Sequence, residues 1–350
     1  MSESPVKRYA GLAGALVGVV AAGTTAGVLA QRRRMARRHS GTEVPLGSLR
    51  GERRTVMTTD GVALYAEVDE PESEPATGSP TVVFVHGFAL NLDSWHFQRL
   101  ALREEHRLVL YDQRSHGRSG RSRRENSTID RLGEDLGLVI DELAPEGPVV
   151  LVGHSMGGMT ILALANLYPE WFGDRVVGVA LVSTCADGMG DIAFGLPPGL
   201  ARMLNDASPS MLTLLARAPK LVERGRRLGS GYASALTRRL AFGGAVPQEY
   251  VDFADSMLSS TPIDVLANFY PEFARLDKTR VFLTDAWPPT TIICGDKDLL
   301  TPVALSRRMA QALPAARLIE IPDAGHLVMI ERYQVVDDEL ALLLKTVQSG

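Results

Sequence analysis

Val149-Val150-Leu151-Val152-Gly153-His154-Ser155-Met156-Gly157-Gly158 decides how the rest of the chain is read. Its run of aliphatic residues reads as a strand buried on both faces. A Gly-x-Ser-x-Gly turn follows, and Met156 to Tyr168 then carries apolar residues at helical spacing. Strand, sharp turn and helix in that order are the setting in which a serine is lifted above a sheet as a nucleophile. A Cβ at position 153 or 157 would crowd so tight a turn, which accounts for Gly153 and Gly157. The backbone N–H of Met156 opens the helix, has no partner within it and is free to face an anion. A glycine-rich loop with an incidental serine is the bland alternative, and the flanking strand and helix argue against it.

The 350 residues suffice for one large α/β domain with an insertion or for two small ones. A net charge of −4 gives no electrostatic case for nucleic acid. Cys185 and Cys294 both fall in or beside apolar strand-like runs and read as small core residues rather than a disulfide. No His/Cys cluster has the spacing of a metal site, and no cofactor motif is visible.

The N-terminus departs from the composition of an ordinary soluble enzyme. Residues 10–30 carry no charge, and a helix of that length, at ~1.5 Å per residue, just crosses a hydrocarbon layer of about 30 Å. Lys7 and Arg8 precede the stretch, and Arg32, Arg33, Arg34, Arg37 and Arg38 follow it. The heavier basic flank predicts a single-pass anchor with the globular part on the cytoplasmic side. Gly14 with Gly18, and Gly23 with Gly27, have the small-xxx-small spacing that allows weak helix pairing in a bilayer. The alternative is a signal peptide cleaved after Val28-Leu29-Ala30 and a secreted protein, which the arginines beyond that site oppose. The expected organisation is an anchor and basic linker over 1–50, an α/β core over 51–186 and 286–350, and a helical cap over 187–285.

Within the core, Arg54–Thr58 and Val62–Val68 flank Asp60-Gly61 as a hairpin. Thr81–Val85, Arg107–Tyr111, Val149–Val152, Val176–Val182, Thr290–Cys294 and Arg317–Ile321 read as further strands. Most are separated by helical stretches such as Ser94–Glu105 and Ile129–Leu143, the alternation of a mostly parallel, eight-stranded sheet with helices on both faces. Between Asp187 and Asp285 the rhythm breaks into helical runs at Leu200–Asn205, Met211–Leu228, Tyr232–Phe242 and Tyr250–Leu258, punctuated by prolines. An insertion there, just downstream of the serine, reads as a cap over the strand ends where open α/β sheets bind ligands.

His86-Gly87-Phe88 after the Thr81 strand, Gly153-His154-Ser155-Met156-Gly157, Gly295-Asp296-Lys297-Asp298 and Gly325-His326 occur in that order. With these motifs, the chain from Arg54 to the C-terminus resembles the α/β-hydrolase family with a cap domain. The resemblance implies Ser155 as nucleophile, Asp298 as acid and His326 as base, with the N–H groups of Phe88 and Met156 as oxyanion hole. Asp296 and Asp187 are the alternative acids. His86 and Trp95 are candidates for the pocket lining. Asp112 and Arg114 read as braces of the rim, His116 as a loop hydrogen-bonder, and His154 as packing beneath the turn. His39, His96 and His106 fall in polar or helical surface contexts and receive no role.

A serine at the elbow argues against epoxide-hydrolase and dehalogenase relatives, which use an aspartate there. The leading expectation is an esterase or lipase-like enzyme acting on a small-molecule carboxyl ester with an apolar acyl group. The apolar cap residues Met189, Phe194, Leu196, Met203, Met211, Phe242, Phe253 and Met257 fit such a chain, and fit equally a cap that needs its own core. Thioester hydrolysis, carbon–carbon bond hydrolysis and cofactor-free perhydrolysis are alternatives on the same residues, and a ligand-binding module is the non-enzymatic one.

Overall fold

The computed structural model of the chain describes residues 44–72, 78–189, 230–283 and 287–349. Eight strands form one sheet: β1 (Glu52–Met57), β2 (Ala63–Asp69), β3 (Thr81–Val85), β4 (Leu108–Tyr111), β5 (Val149–His154), β6 (Val176–Val182), β7 (Thr290–Gly295) and β8 (Arg317–Ile321). Their order is β1-β2-β4-β3-β5-β6-β7-β8. β1, β2 and β4 pair antiparallel, and every pair from β4–β3 onward is parallel. The hairpin turn is closed where expected, with Gly61 at φ 82° and the Thr58 hydroxyl accepting the Val62 N–H at 2.8 Å.

The helices are α1 (His96–Leu102), α2 (Ile129–Leu143), α3 (Met156–Leu167), α4 (Ser230–Ala241), α5 (Gln248–Ser260), α6 (Ile263–Ala274), α7 (Val303–Ala312), α8 (Val328–Glu331) and α9 (Tyr333–Ser349). Alternation along the strands sorts the core into two layers. Val83, Val85, Leu151 and Leu181 face α2 and α3, whereas Phe84, Val150, Val152 and Ala180 face α1 and α9. Five strands are buried throughout or nearly so, as a sheet covered on both faces requires. A third cluster joins α6, through Val265, Phe269 and Phe273, to Met156 and Met159 at the start of α3.

Within the insertion, α4 and α5 match the expected runs. The runs at 200–205 and 211–228 lie outside the described residues. α6 was not expected: Pro262 suggested punctuation, yet it caps the helix start, and Pro271 falls in the last turn. The stretch Ser94–Glu105 is shorter than expected, a 3-10 turn Leu92–Trp95 leading into α1. His96 is buried, not at the surface, because it packs on Phe97 and Phe253 and accepts the Gly47 N–H.

The expected single-pass membrane placement is corrected. Among the described residues, no helix is long and apolar enough to cross a membrane. Residues 10–30, on which that expectation rested, and the Gly14/Gly18 and Gly23/Gly27 pairs lie outside the described residues.

Candidate active site

The chain turns sharply between β5 and α3, and Ser155 carries the strain of it, at φ 51° and ψ −117°. A non-glycine residue held at positive φ costs of order 1–3 kcal/mol and needs surroundings that fix it. Those are present: the Ser155 N–H donates to Val182 O (2.9 Å), and the Thr184 hydroxyl donates to Ser155 O (2.7 Å). The flanking glycines are obligatory by contact. A Cβ at Gly157 would stand 2.0 Å from Val85 O, and one at Gly153 would stand 2.6 Å from Gly157 O.

Asp298 and His326 come from the loops after β7 and β8. Asp298 Oδ2 lies 2.8 Å from His326 Nδ1 and also accepts the Thr301 hydroxyl at 2.7 Å. Its Oδ1 accepts the backbone N–H groups of Leu300 (2.8 Å) and Thr301 (2.9 Å). A buried carboxylate with both oxygens so engaged has one direction left for an imidazole. On the far side, the His154 Nε2 is 3.0 Å from the His326 carbonyl, and the two rings lie 4.8 Å apart. His326 is thereby held next to the residue that precedes Ser155. Of the alternative acids, Asp187 is paired with Arg308 at 2.6 Å and Asp296 is exposed.

The His86-Gly87-Phe88 segment lies against the same turn, since a Cβ on Gly87 would meet Ser155 Cβ at 3.2 Å and His154 Nδ1 at 2.5 Å. Gln113, which sequence reasoning passed over, joins this segment to α3. Its amide donates to His86 O (2.6 Å), and its carbonyl accepts the Thr160 hydroxyl (2.8 Å), which also reaches Met156 O (2.9 Å). Gln113 was visible only as a residue of the Asp112-Gln113-Arg114 loop, whose bracing role was expected. Asp112 accepts the N–H of Leu92 and of Arg118, and Arg114 is buried between Asp135 and Asp60.

His86 and Trp95, the candidates for the pocket lining, are both buried. His86 is fully buried, bonded to Gly87 O and the Gln113 N–H, and burial pulls its pKa down to about 3. Trp95 is fully buried against Phe84 and His154. Burial also lowers the pKa of His116 to about 4 and that of His154 well below its ordinary value, the His326 ring adding to the latter. These histidines are neutral hydrogen-bonding parts of the wall. The apolar surroundings of the elbow are Phe88, Met156, Met159, Cys185, Phe269 and Phe273, with Met189 beside them. Phe242, Phe253 and Met257 instead pack with the α1–α9 layer, and Phe194, Leu196, Met203 and Met211 lie outside the described residues. Cys185 and Cys294 are free and buried, which pushes their thiols up to about 12 and about 11. Among the described residues, no group of His, Cys, Asp or Glu is placed to hold a metal ion.

Sheet order, elbow and loop positions together define a hydrolase. Residues 80–333 match the alpha/beta hydrolase fold family, and the chain belongs to it. It is 28% identical to 3-oxoadipate enol-lactonase 1 of Acinetobacter baylyi over 85% of this chain and 99% of that protein. It is also 28% identical to the dihydrolipoyllysine-residue acetyltransferase component of the acetoin cleaving system of Pseudomonas putida. That match takes in 77% of this chain and 64% of the other protein's length. Among solved structures, a thermophilic esterase from Thermogutta terrifontis superposes with a TM-score of 0.63 at 26% identity, over 84% of this chain and 98% of that one.

Proposed function

We propose that the enzyme hydrolyses carboxyl esters through an acyl-enzyme, with Ser155 as nucleophile, His326 as general base and Asp298 as the acid that orients it. One observation carries the reading: Asp298 Oδ2 sits 2.8 Å from His326 Nδ1 in a buried loop pair, and His326 packs on His154, the residue before the strained Ser155. A proton held on Nδ1 by Asp298 leaves the Nε2 lone pair to take the Ser155 proton as Oγ bonds to the ester carbonyl carbon. The carbonyl electrons move onto oxygen, which the N–H groups of Phe88 and Met156 stabilise, a single such donor being worth about 3–4 kcal/mol elsewhere. Collapse expels the alkoxide, which takes the proton from Nε2. Water then repeats the sequence on the acyl-enzyme and releases the acid.

The apolar side chains around the elbow suit an uncharged acyl group better than a charged one. A lactone is a cyclic carboxyl ester and passes through the same steps, and the match to an enol-lactonase along nearly its whole length favours including lactones among the substrates. We assign residues 51–186 and 286–350 to the catalytic core and 187–285 to a cap over it. Thioesters, carbon–carbon bonds and peracid formation use the same residues and are the alternatives if esters fail.

The test is labelling by a fluorophosphonate probe, with p-nitrophenyl esters of increasing acyl length and a γ-lactone as substrates. Wild type should label and turn over, and Ser155→Ala should do neither. Labelling without ester or lactone turnover would redirect the search to the alternative bonds. Folded wild type that does not label would refute an activated serine and favour a ligand-binding module.

A further inference from the structure

We propose that Glu331 is a positioning residue that couples the inserted helices to the His326 loop, an inference that rests on the assignment of His326 as the base. Glu331 closes the single turn α8, and its side chain is fully buried. One carboxylate oxygen accepts the N–H of Gly325, the residue before His326, at 2.7 Å, and the N–H of Gly243 at 3.0 Å. The other accepts the N–H of Gly244 at 2.7 Å. Gly243 and Gly244 lie just past the end of α4, in the inserted region. One buried carboxylate therefore holds the histidine loop and the insertion together. Its ion-pair contact is with Arg332, at 3.7 Å.

The contact is backbone on backbone. A Cβ at Gly243 would meet Ala324 C at 2.5 Å, and one at Gly325 would meet Gly243 N at 2.5 Å. After His326, the Leu327 N–H donates to Ala241 O at 2.8 Å. His326 is thus flanked by the Gly325 bond to Glu331, which also holds Gly243 and Gly244, and by the Leu327 bond to Ala241 O, while its ring and carbonyl are held by Asp298 and His154 from the core. The base is suspended between the core and the insertion. A shift of the insertion at the end of α4 is passed to the imidazole through Gly325 and Leu327. Misplacement of a proton acceptor by about 1 Å costs on the order of 10²-fold in rate, so a small shift there is a large change in turnover.

Two variants separate this role from plain stabilisation. Glu331→Gln keeps the shape but turns an amide group toward backbone donors, breaking one arm of the bridge. Gly244→Ala brings a Cβ to 3.2 Å from Glu331 Oε1 and 3.0 Å from Asp323 O, crowding the insertion arm without touching Gly325. In the full chain, with the folded fraction measured by near-UV circular dichroism, kcat and KM on a p-nitrophenyl ester would be followed over about pH 5 to 9. Expected is a fall in kcat of about 10- to 100-fold in Glu331→Gln with KM within about twofold, and a displaced acid limb of kcat/KM. Gly244→Ala should move the same parameters in the same direction, and the double variant should lose less than the product of the two. Variants that unfold earlier yet keep the wild-type kcat and pH limb would overturn the proposal, as would a Gly244→Ala effect confined to KM. If Glu331→Gln does not fold, Gly244→Ala decides alone. Wild type without labelling or turnover would instead strike at the serine mechanism itself.

Discussion

Thr160 and Gln113, 47 residues apart, share a 2.8 Å hydrogen bond that ties the two proposed oxyanion donors to one another. Through Gln113 the bond reaches His86 O, two residues before Phe88, and through the Thr160 hydroxyl it reaches Met156 O. Both side chains are fully buried, so water cannot replace a lost partner. Thr160→Val keeps the shape, removes the hydroxyl and leaves the Gln113 carbonyl unpaired. A loss of about 1–3 kcal/mol in urea unfolding is expected. If the bond also sets the spacing of the two N–H groups, kcat falls while KM holds. Unchanged kcat with the full stability loss would reduce the pair to a core contact.

Asp298→Asn tests the acid. The amide carbonyl can still accept the Leu300 and Thr301 N–H groups at the Oδ1 position, so the loop should keep its form. The amide NH₂ then faces His326 Nδ1, which favours the tautomer with its proton on Nε2, where it cannot take one from Ser155. Such a tautomer change cost on the order of 10⁴-fold in a serine protease, and a drop of that order in ester turnover and labelling rate is expected here, with an unfolding midpoint near wild type. A small drop would point to Asp296 as the working acid.

The parts of the fold legible in the sequence are those where one local pattern decides the answer. β6 and β8 fall where their aliphatic runs place them, and Gly153 is demanded by contacts within a few residues, whereas Gly157 is demanded by Val85 O on a neighbouring strand. The Asp298–His326 pairing was reachable through the resemblance alone, because the two loops meet only once the sheet is assembled. The bridging roles of Glu331, Gln113 and Thr160 were invisible for the same reason: each needs a partner tens of residues away and carries no spacing signature. His96 was read as a surface residue, whereas Phe253 of α5 and the chain near Gly47 cover it. Pro262 misled at α6, where a proline just before the first turn is compatible with a helix start.

Gly157 and Gly158 differ in what a methyl group would strike. At Gly157 it meets the backbone carbonyl of Val85, part of a central strand that cannot move. At Gly158 it meets the Thr184 side chain, Cγ2 at 2.5 Å and Cβ at 2.7 Å, so rotating Thr184 relieves only part of the clash. Gly157→Ala should therefore cost about 3 kcal/mol or more and leave little folded protein, whereas Gly158→Ala, where one side chain rather than a central strand must give way, should cost less, about 1–3 kcal/mol. Rotation of Thr184 breaks its bond to Ser155 O, so Gly158→Ala should lose more activity than its stability predicts. Equal stability losses in urea for the two variants would contradict this account of the elbow.

Asp337 on α9 gives the fold a pH dependence of defined sign. Its carboxylate accepts the Gln98 amide at 2.8 Å, and burial, with Asp338 nearby, raises its pKa from 3.8 to about 7. The folded state therefore holds a proton that the unfolded chain releases between these two values, and stability falls as pH rises through that window. Asp112, raised to about 6 by burial, adds a slope of the same sign. Asp337→Asn keeps a carbonyl for Gln98 and cannot ionise. Its urea midpoint should fall less than that of wild type between about pH 5 and pH 8, with the advantage of the variant growing toward the higher pH. Parallel profiles would mean that Asp337 titrates near its ordinary value and that the α1–α9 contact is open to water.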